Sequence, residues 1–291
     1  MDRNETLRRH IKADGLGIEV APYFTPIMPK RAGYNCLSLD VFDTATLIDK
    51  AKIDPNIPDS QVADIEEVDL VGSATEIEAL VNARNQLGHF DYIISSHNFE
   101  HLPNPIKFLQ GCGKVLKPGG VLTMAIPDRR ACFDYFRPYT TLGEWIEAFK
   151  ENRTQPTNAQ TFDWLQLFSN LHVDNNKVGA FGLSDDRTKI QVEDSLLAAF
   201  GSWNERERAG DTSYQDTHCS VFTRWSFILL INDCYFLGLS PFSCEEVSEL
   251  YGCEFHAHLK NVGYLKPEDR NTERFYAFRQ MALQKIMKET A

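Results

Sequence analysis

The first 130 residues alternate between short apolar stretches and longer amphipathic ones. The apolar stretches predict strands at Leu16–Val20, Tyr34–Leu39, Val68–Val71, Phe90–Ser95 and Val121–Ile126. The amphipathic stretches predict helices at Arg3–Ala13, Asp43–Ala51, Glu76–Arg84 and Pro105–Leu116. Strands that alternate with helices in this way are typical of βαβ units and of a parallel sheet.

The pattern changes in residues 138–219. This segment is polar, rich in Asn, Thr, Asp and Gln, and contains only isolated aromatic clusters. We predict helices on long loops here, inserted after the fifth strand as a helical insertion or lid. The core would then comprise residues 1–137, and residues 220–291 would complete its sheet.

Regular patterning returns after residue 219. Phe222–Leu237 predicts a strongly apolar helix and Thr272–Lys288 a charged one. Between them, Cys244–Leu250 and Glu254–Leu259 predict an antiparallel hairpin at the sheet edge. His256 and His258 alternate in the second of these strands, which predicts that both lie on one solvated face.

Charge and composition exclude several classes of protein. The formal net charge of −11 argues against general nucleic-acid binding, which needs a basic face to neutralise phosphates. No apolar run approaches the roughly 20 residues of a membrane helix, and the charged N-terminus lacks the apolar core of a signal peptide. The seven cysteines are odd in number and form no C-x-x-C pair, so we expect small apolar residues in a reducing compartment. We therefore expect a cytoplasmic protein that does not bind membranes.

One long block of the sequence resembles a known family. Phe90–Asp128, "FDYIISSHNFEHLPNPIKFLQGCGKVLKPGGVLTMAIPD", is similar to the block from the fourth to the fifth strand of class I S-adenosylmethionine-dependent methyltransferases of the type 11-like group. That block opens with "FD", continues with "EHLP" and passes through "LKPGG" to "IPD". The resemblance implies an α/β, Rossmann-like, doubly wound seven-stranded sheet with a terminal antiparallel hairpin. It does not extend over residues 138–219.

The resemblance also implies a site for S-adenosylmethionine. In "GIEVAPYFTPIMPK", Glu19 occupies the acidic position of the first strand, and Ala21 and Tyr23 stand where glycines are expected. Asp40, at the end of the second strand, would accept hydrogen bonds from the ribose hydroxyls, although it could instead cap the next helix, a role for which Asp43 is better placed. The cofactor-binding residues expected from the resemblance are Glu19, Ala21, Tyr23, Asp40, Ser73, Ala74, Ser95 and Ser96.

The stretch "SSHNFEHLP" carries the candidate chemistry. In a helical turn after Ser96, His97, Glu100 and His101 would share one face. Two imidazoles and a carboxylate suit Zn²⁺, Fe²⁺ or Mn²⁺, and the small-RNA 2′-O-methyltransferases and ubiquinone-pathway O-methyltransferases use a related "E-x-x-E-H" for a metal. Many family members with "EHLP" bind no metal, so we expect none here. We instead predict that catalysis depends on a neutral histidine acting as base, the candidates being His97, His101 and His218.

These observations predict an S-adenosylmethionine-dependent methyltransferase acting on an oxygen or nitrogen of a small molecule or sugar. The glycine-poor first turn leaves an alternative, an inactive protein of the same fold that serves as a binding or assembly module. A nicotinamide-dependent oxidoreductase is disfavoured because no G-x-G-x-x-G follows the first strand. The sequence leaves the acceptor and the oligomeric state open, a homodimer being one option.

Overall fold

The computed structural model describes residues 2–211 and 213–290. The helices are α1 Arg3–Arg8, α2 Thr44–Ile53, α3 Asp59–Val62, α4 Ile77–Asn82, α5 Pro105–Val115, α6 Leu142–Lys150, α7 Asn158–Leu167, α8 Leu196–Ala209, α9 Arg224–Leu237 and α10 Thr272–Thr290. The strands are β1 Gly17–Val20, β2 Cys36–Asp40, β3 Leu70–Val71, β4 Phe90–Ser96, β5 Leu116–Pro127, β6 Ser169–Val173, β7 Asn176–Val178, β8 Ile190–Val192, β9 Phe242–Val247 and β10 Glu254–Asn261. None of the described helices is long and apolar enough to cross a membrane.

A seven-stranded sheet with the order β3-β2-β1-β4-β5-β10-β9 forms the centre of the molecule. The first five strands are parallel to their neighbours, whereas β10 runs antiparallel to both β5 and β9. Helices cover both faces of this sheet. The predicted doubly wound sheet with a terminal antiparallel hairpin is therefore confirmed.

The carboxyl ends of the parallel strands meet at one edge, which we call the carboxyl edge. Val20 of β1 lies opposite Leu39 of β2 and Ser95 of β4, and Asp40 lies opposite Val71 of β3. In sheets of this class, ligands bind in the crevice outside these ends. The fold thus collects residues that are distant in sequence at one candidate binding edge.

Apolar side chains fill both faces of the sheet. One face packs against α4, α5 and α9, and the other packs under α1 through Leu7, Ile27 and Met28. On the second face the Tyr92 ring lies directly over Gly17, where a Cβ atom would come 2.0 Å from the ring. Only glycine allows this close packing of β4 on β1.

Residues 138–219 contain α6, α7 and α8 and a three-stranded antiparallel sheet of order β7-β6-β8. The sequence predicted helices here but not the sheet. Asp174 and Asn175 have φ of 46° and 67° and form the two-residue turn between β6 and β7, a turn type that favours Asn and Asp. The three strands have five, three and three residues, too few to show clear alternation.

Two of the boundaries that differ from the sequence predictions do so by about five residues. Helix α1 ends at Arg8 and does not continue to Ala13. The predicted turn at Lys117–Gly120 lies inside β5, which begins at Leu116. There Gly119 has a φ of 81°, and the register with β4 shifts beside it, so the stretch is an irregular strand start.

Candidate active site

The turn after β1 has a left-handed backbone although it contains no glycine. Ala21 and Tyr23 have φ of 53° and 45°, a region that costs a non-glycine residue about 1–2 kcal/mol. Glu19 stabilises the following loop, since its two carboxylate oxygens accept hydrogen bonds from the amides of Ile27 at 2.7 Å and Met28 at 2.8 Å. The turn therefore has the backbone shape that glycines normally provide.

Glu19 and Tyr23 have clear structural contacts. Glu19 is 3% exposed, and burial raises the pKa of its carboxyl to about 7, against the lowering effect of the two amides. The Tyr23 ring packs edge-on against Phe24, with ring centres 4.9 Å apart, and contacts the apolar cluster under α2 and α3. Their contribution to cofactor binding stays a prediction.

Asp40 lies at the carboxyl edge beside an exposed apolar surface. Its Oδ1 accepts a hydrogen bond from the Phe42 amide at 3.0 Å, and burial raises the pKa of its carboxyl. Val41 and Phe42 follow it in the chain, Val71 lies opposite it in β3, and the three are 58%, 39% and 49% exposed. A carboxylate near exposed apolar side chains suits a nucleoside, whose hydroxyls and base need these two environments.

The sequence predictions identified Asp40 but missed these three apolar neighbours. The available signal was the position of Val41, Phe42 and Val71 directly at strand ends, where solvated polar residues are usual. Asp43, not Asp40, is the N-cap of α2, because its Oδ1 accepts a hydrogen bond from the Thr46 amide at 2.8 Å. The prediction that Asp43 is the better helix cap is confirmed, and the ribose role of Asp40 stays a prediction.

The predicted serine and alanine residues lie along the same edge. Ser73 caps a short 3₁₀ turn, Ala74–Glu76, and its Oγ lies 2.8 Å from the Thr75 hydroxyl. The Ser95 hydroxyl is buried and has no hydrogen-bond partner among the described residues. The Ser96 hydroxyl accepts a hydrogen bond from Nη2 of Arg3 at 2.7 Å.

A tight turn after β4 positions the histidine residues. His97 has a φ of 47°, and a 3₁₀ turn follows at Phe99–His101. Phe99 is fully buried and its ring packs among those of Phe108, Trp145, Phe222 and Phe227. This anchor fixes the direction in which Glu100 and His101 project.

Glu100 lies at the centre of three imidazoles. Its side chain is fully buried, and neither carboxylate oxygen has a hydrogen-bond partner among the described residues. Oε1 lies 3.6 Å from Nδ1 of His97, 4.0 Å from Nε2 of His101 and 3.9 Å from Nε2 of His218. The structure thus brings together the three histidines that the sequence analysis selected, around a carboxylate that it did not assign.

Each imidazole has a second carboxylate at its other ring nitrogen. Nε2 of His97 lies 2.5 Å from Glu254, Nδ1 of His101 lies 2.8 Å from Asp216, and Nδ1 of His218 lies 2.5 Å from Asp134. These three carboxylates, of Glu254, Asp216 and Asp134, are distinct from that of Glu100. All three imidazoles therefore direct their remaining nitrogen towards Glu100.

These contacts shift the pKa values of the groups involved. Burial lowers the pKa of His97 and of His101, but their carboxylate neighbours outweigh it and leave both pKa values raised. Burial raises the pKa of Asp134, but the hydrogen bond with His218 and the charge of Arg137 outweigh it and leave that pKa lowered. The net negative surroundings thus favour positive charge among the imidazoles.

Comparison with known families assigns the chain. The sequence profile of a family described as a methyltransferase domain matches residues 23–232. The chain belongs to this methyltransferase family. The recognition of a class I methyltransferase from the block at Phe90–Asp128 is confirmed, and S-adenosylmethionine is the cofactor of this enzyme class.

Solved structures give more distant similarities to the methyltransferase. A SAM-dependent methyltransferase from Methanosarcina mazei is 14% identical, with a TM-score of 0.43 and coverage of 91% of this chain and 100% of the other. One from Mesorhizobium loti is 10% identical, with a TM-score of 0.44 and coverage of 88% and 97%. A protein from Rhodobacter sphaeroides described as a putative Zn-dependent alcohol dehydrogenase is 12% identical, with a TM-score of 0.47 and coverage of 90% of each chain. A comparison with curated proteins gave no match.

Glu254 and Arg3 are two further residues of the candidate site that sequence reasoning missed. Glu254 opens β10 opposite Pro127, at the carboxyl edge, and its carboxylate contacts His97, His256 and Arg3. Arg3 of α1 bonds both Glu254 and Ser96 and so joins the N-terminal helix to this edge. Sequence separations of 157 and 251 residues left no local signal for either contact.

The prediction that His256 and His258 share a solvated face is wrong. Both are buried, because β10 lies between β5 and β9 and not at the outer edge. Nδ1 of His258 lies 3.0 Å from the Thr123 hydroxyl. Burial, together with the charge of His10, lowers the pKa of His258 to about 4.

Proposed function

We propose that the methyltransferase transfers a methyl group from S-adenosylmethionine to an oxygen or nitrogen atom of a small molecule or sugar. The methyl group leaves the sulfonium sulfur, which keeps the electron pair of the broken bond and becomes the thioether of S-adenosylhomocysteine. The acceptor atom forms the new bond and loses a proton. Alignment of the two reactants supplies much of the rate in such a displacement.

The carboxyl ends of β1, β2 and β4 support a donor site. The left-handed turn at Ala21 and Tyr23 brings backbone to the edge, and Asp40 offers a carboxylate for the ribose hydroxyls. Val41 and Phe42 offer an apolar surface for the adenine. In this proposal Ser73 and Ala74 border the adenine, and Ser95 and Ser96 border the methionyl part of the donor.

The imidazoles support an acceptor site beside it. The side chain of His97 is 41% exposed, against 24% for His101 and 4% for His218, so His97 is the imidazole most open to an acceptor. With Glu254 at Nε2, its Nδ1 is the atom that would take the acceptor proton. His101 and His218 would border the acceptor from the other side.

The inserted segment supports a cover over this acceptor site. The Trp164 ring of α7 packs edge-on against His218, with ring centres 4.8 Å apart. Asp216, which precedes α9, contacts His101 directly. We propose that residues 138–219 enclose the acceptor, and the net charge of −11 favours an acceptor that is not a polyanion.

The observation that carries the proposal is the position of Asp40 and His97 at one edge of a methyltransferase sheet. Titration calorimetry with S-adenosylmethionine tests the donor half, comparing the wild type with Asp40→Asn. We expect the variant to bind about 10–100-fold more weakly, because two ribose hydrogen bonds lose an ionised acceptor. Asp43→Asn is the matched control, since Asp43 is a nearby aspartate that only caps α2.

The acceptor half is tested by release of S-adenosylhomocysteine with a panel of hydroxyl- and amine-bearing small molecules and sugars. We expect turnover with a member of this panel and mass spectrometry to locate one added methyl group on its oxygen or nitrogen. A wild-type chain that fails to bind S-adenosylmethionine would overturn the proposal and favour a binding module of the same fold. Equal affinity in Asp40→Asn and the wild type would overturn the ribose assignment.

A further inference from the structure

We propose that Glu100, His101 and His218 hold a divalent transition-metal ion. The starting observation is the Glu100 carboxylate, which is fully buried with both oxygens lacking a hydrogen-bond partner among the described residues. A buried carboxylate is costly unless it is paired, hydrogen-bonded or bound to a metal. The described residues around it supply neither a backbone amide nor an arginine as a hydrogen-bond donor, but they do supply imidazole nitrogens.

The separations fit ligands around one cation. Atoms offered by Glu100, His101 and His218 all lie within 4.8 Å of one another. Glu100 Oε1 is 4.0 Å and 3.9 Å from the two Nε2 atoms, too far for direct hydrogen bonds. Ligands at about 2.0–2.2 Å from a tetrahedral zinc ion lie roughly 3.3–3.6 Å apart. To close the shell around an ion, the two Glu100 distances would shorten by about half an ångström. The separation of the two imidazole nitrogens, which is at most 4.8 Å, would shorten by up to about 1.5 Å.

The outer nitrogen of His218 is already set for this role. Asp134 lies 2.5 Å from Nδ1 of His218, and Asp216 lies 2.8 Å from Nδ1 of His101. A carboxylate at one ring nitrogen fixes the proton there and leaves the lone pair on the other nitrogen, as in carboxylate–histidine–metal arrangements. The lone pair on Nε2 of His218 is thereby directed at Glu100. The contact of Asp216 with Nδ1 of His101 is close but lacks hydrogen-bond geometry, so it does not fix the proton of that ring. The orientation of the His218 imidazole is an observation independent of the unpaired Glu100 carboxylate, and it also indicates a metal ion.

The rest of the fold holds the three ligands in place. The buried Phe99 ring anchors the turn that carries Glu100 and His101. Arg137 donates a hydrogen bond to the His218 carbonyl, and the Ser220 amide donates one to the Glu100 carbonyl. The Ser220 contact thus joins the two ligand-bearing segments directly, and the Arg137 side chain holds the His218 segment from a third part of the chain. A preformed site of this kind loses little entropy when an ion binds.

The donor set indicates the class of cation. Two imidazoles with one carboxylate suit Zn²⁺, Mn²⁺ or Fe²⁺, whereas Mg²⁺ and Ca²⁺ prefer oxygen ligands. Three protein ligands leave a position for a further group, and Nδ1 of His97 lies 3.6 Å from Glu100 Oε1 on the open side. An acceptor oxygen bound at that position would lose its proton more readily. This last role rests on the proposed function, whereas metal binding itself does not.

A second histidine–carboxylate cluster gives an internal comparison. His10, Glu246 and His258 also lie within 4.8 Å of one another. There the Glu246 carboxylate is already held by ion pairs with Arg9 and His10. An ion at this cluster would have to displace a guanidinium, so we assign no metal to it.

The test is equilibrium dialysis of the chelator-treated chain against Co²⁺, followed by competition with Zn²⁺. We expect the wild type to bind one equivalent of Co²⁺ and to show the visible absorption of a low-symmetry cobalt site. Loss of a carboxylate that orients a metal-binding imidazole typically lowers metal affinity by about 10–100-fold. We therefore expect Glu100→Gln to weaken binding by more than about 100-fold and Asp134→Asn, which removes the carboxylate that orients His218, by about 10-fold.

Glu246→Gln is the matched control and should bind Co²⁺ like the wild type. Circular dichroism checks that Glu100→Gln is folded, and His101→Asn provides a second ligand variant if it is not. A wild-type chain without a stoichiometric cobalt ion would overturn the proposal, as would unchanged binding in both ligand variants. These outcomes do not depend on S-adenosylmethionine or on turnover, so they are distinguishable from failure of the proposed function.

Discussion

Glu19 and Glu100 are both buried glutamates near the carboxyl edge, but their surroundings differ. Glu19 is 3% exposed, and both of its oxygens accept backbone hydrogen bonds. Glu100 is 0% exposed, and neither of its oxygens has a partner among the described residues. The Glu19 carboxylate stabilises its own loop. The Glu100 carboxylate has no such partner in the described part of the chain, which fits our proposal that it binds a metal ion. Burial alone therefore does not separate a structural acid from a site residue; the pairing of its oxygens does.

The largest expected effect is the loss of the Glu19 side chain. Glu19→Ala leaves the buried amides of Ile27 and Met28 without acceptors, and each such donor costs about 1–3 kcal/mol. We expect the free energy of unfolding to fall by about 3 kcal/mol at pH 5.5 in urea titrations. A loss below about 1 kcal/mol would show that water or another group replaces the carboxylate, and the contrast with Glu100 would then fail.

The raised pKa of Glu19 also predicts that the stability of the chain depends on pH. The pKa of Glu19 is about 7 in the folded chain, mainly through burial, against an ordinary value of 4.5. Because the folded pKa is raised, the protonated carboxyl is the form favoured by folding. Its contribution to stability is complete below about pH 4.5 and is lost as pH rises towards 7. The destabilisation by Glu19→Ala should therefore shrink by up to about 3 kcal/mol between pH 4.5 and pH 8.

Urea titrations of the wild type and Glu19→Ala across this pH range measure that difference. Because the two chains share all other titrating groups, the contributions of those groups cancel in the comparison. Glu19→Gln serves as the control, because it has no charge to bury and should change with pH in parallel with Glu19→Ala. A wild-type advantage that grows with pH would contradict the raised pKa of Glu19.

The next largest expected effect is the gain in stability when Zn²⁺ binds, which should require the Glu100 carboxylate. At 100 times its dissociation constant, a ligand that binds only the folded chain stabilises it by about 2.7 kcal/mol. We expect this gain for the wild type, measured by thermal or urea unfolding with and without Zn²⁺. Glu100→Gln should gain nothing from the metal, whereas Glu246→Gln should gain as much as the wild type. An equal gain in Glu100→Gln would place the ion elsewhere.

Sequence patterns predicted most of the fold but little of the difference between the surroundings of Glu19 and Glu100. The strands β1, β2, β4, β5 and β10 are visible from apolar stretches because each lies between two other strands of the sheet. The inserted sheet was missed since its strands are three to five residues long. Ala21 and Tyr23 adopt positive φ against their residue type, which only the surrounding loop can impose.

The candidate site shows the same limit. "EHLP" identified Glu100 and His101 as neighbours, but the sequence does not show whether a carboxylate is paired. Asp134, Asp216 and Glu254 reach the three imidazoles across 84, 115 and 157 residues of sequence, and only the folded chain brings them together. Local pattern therefore selected the histidines, whereas long-range packing set what each of their nitrogens faces.

The smallest expected effect is that of Glu100→Gln in the metal-free chain. A neutral amide is less costly to bury than an unpaired carboxylate, so we expect stability to stay the same or rise by about 1 kcal/mol in urea titrations near pH 8.5. Glu246→Gln, which removes a partly exposed ion pair, should lose about 0–1 kcal/mol. A loss above about 1 kcal/mol in Glu100→Gln would mean that the carboxylate has a partner within the protein, and Glu100 would then resemble Glu19.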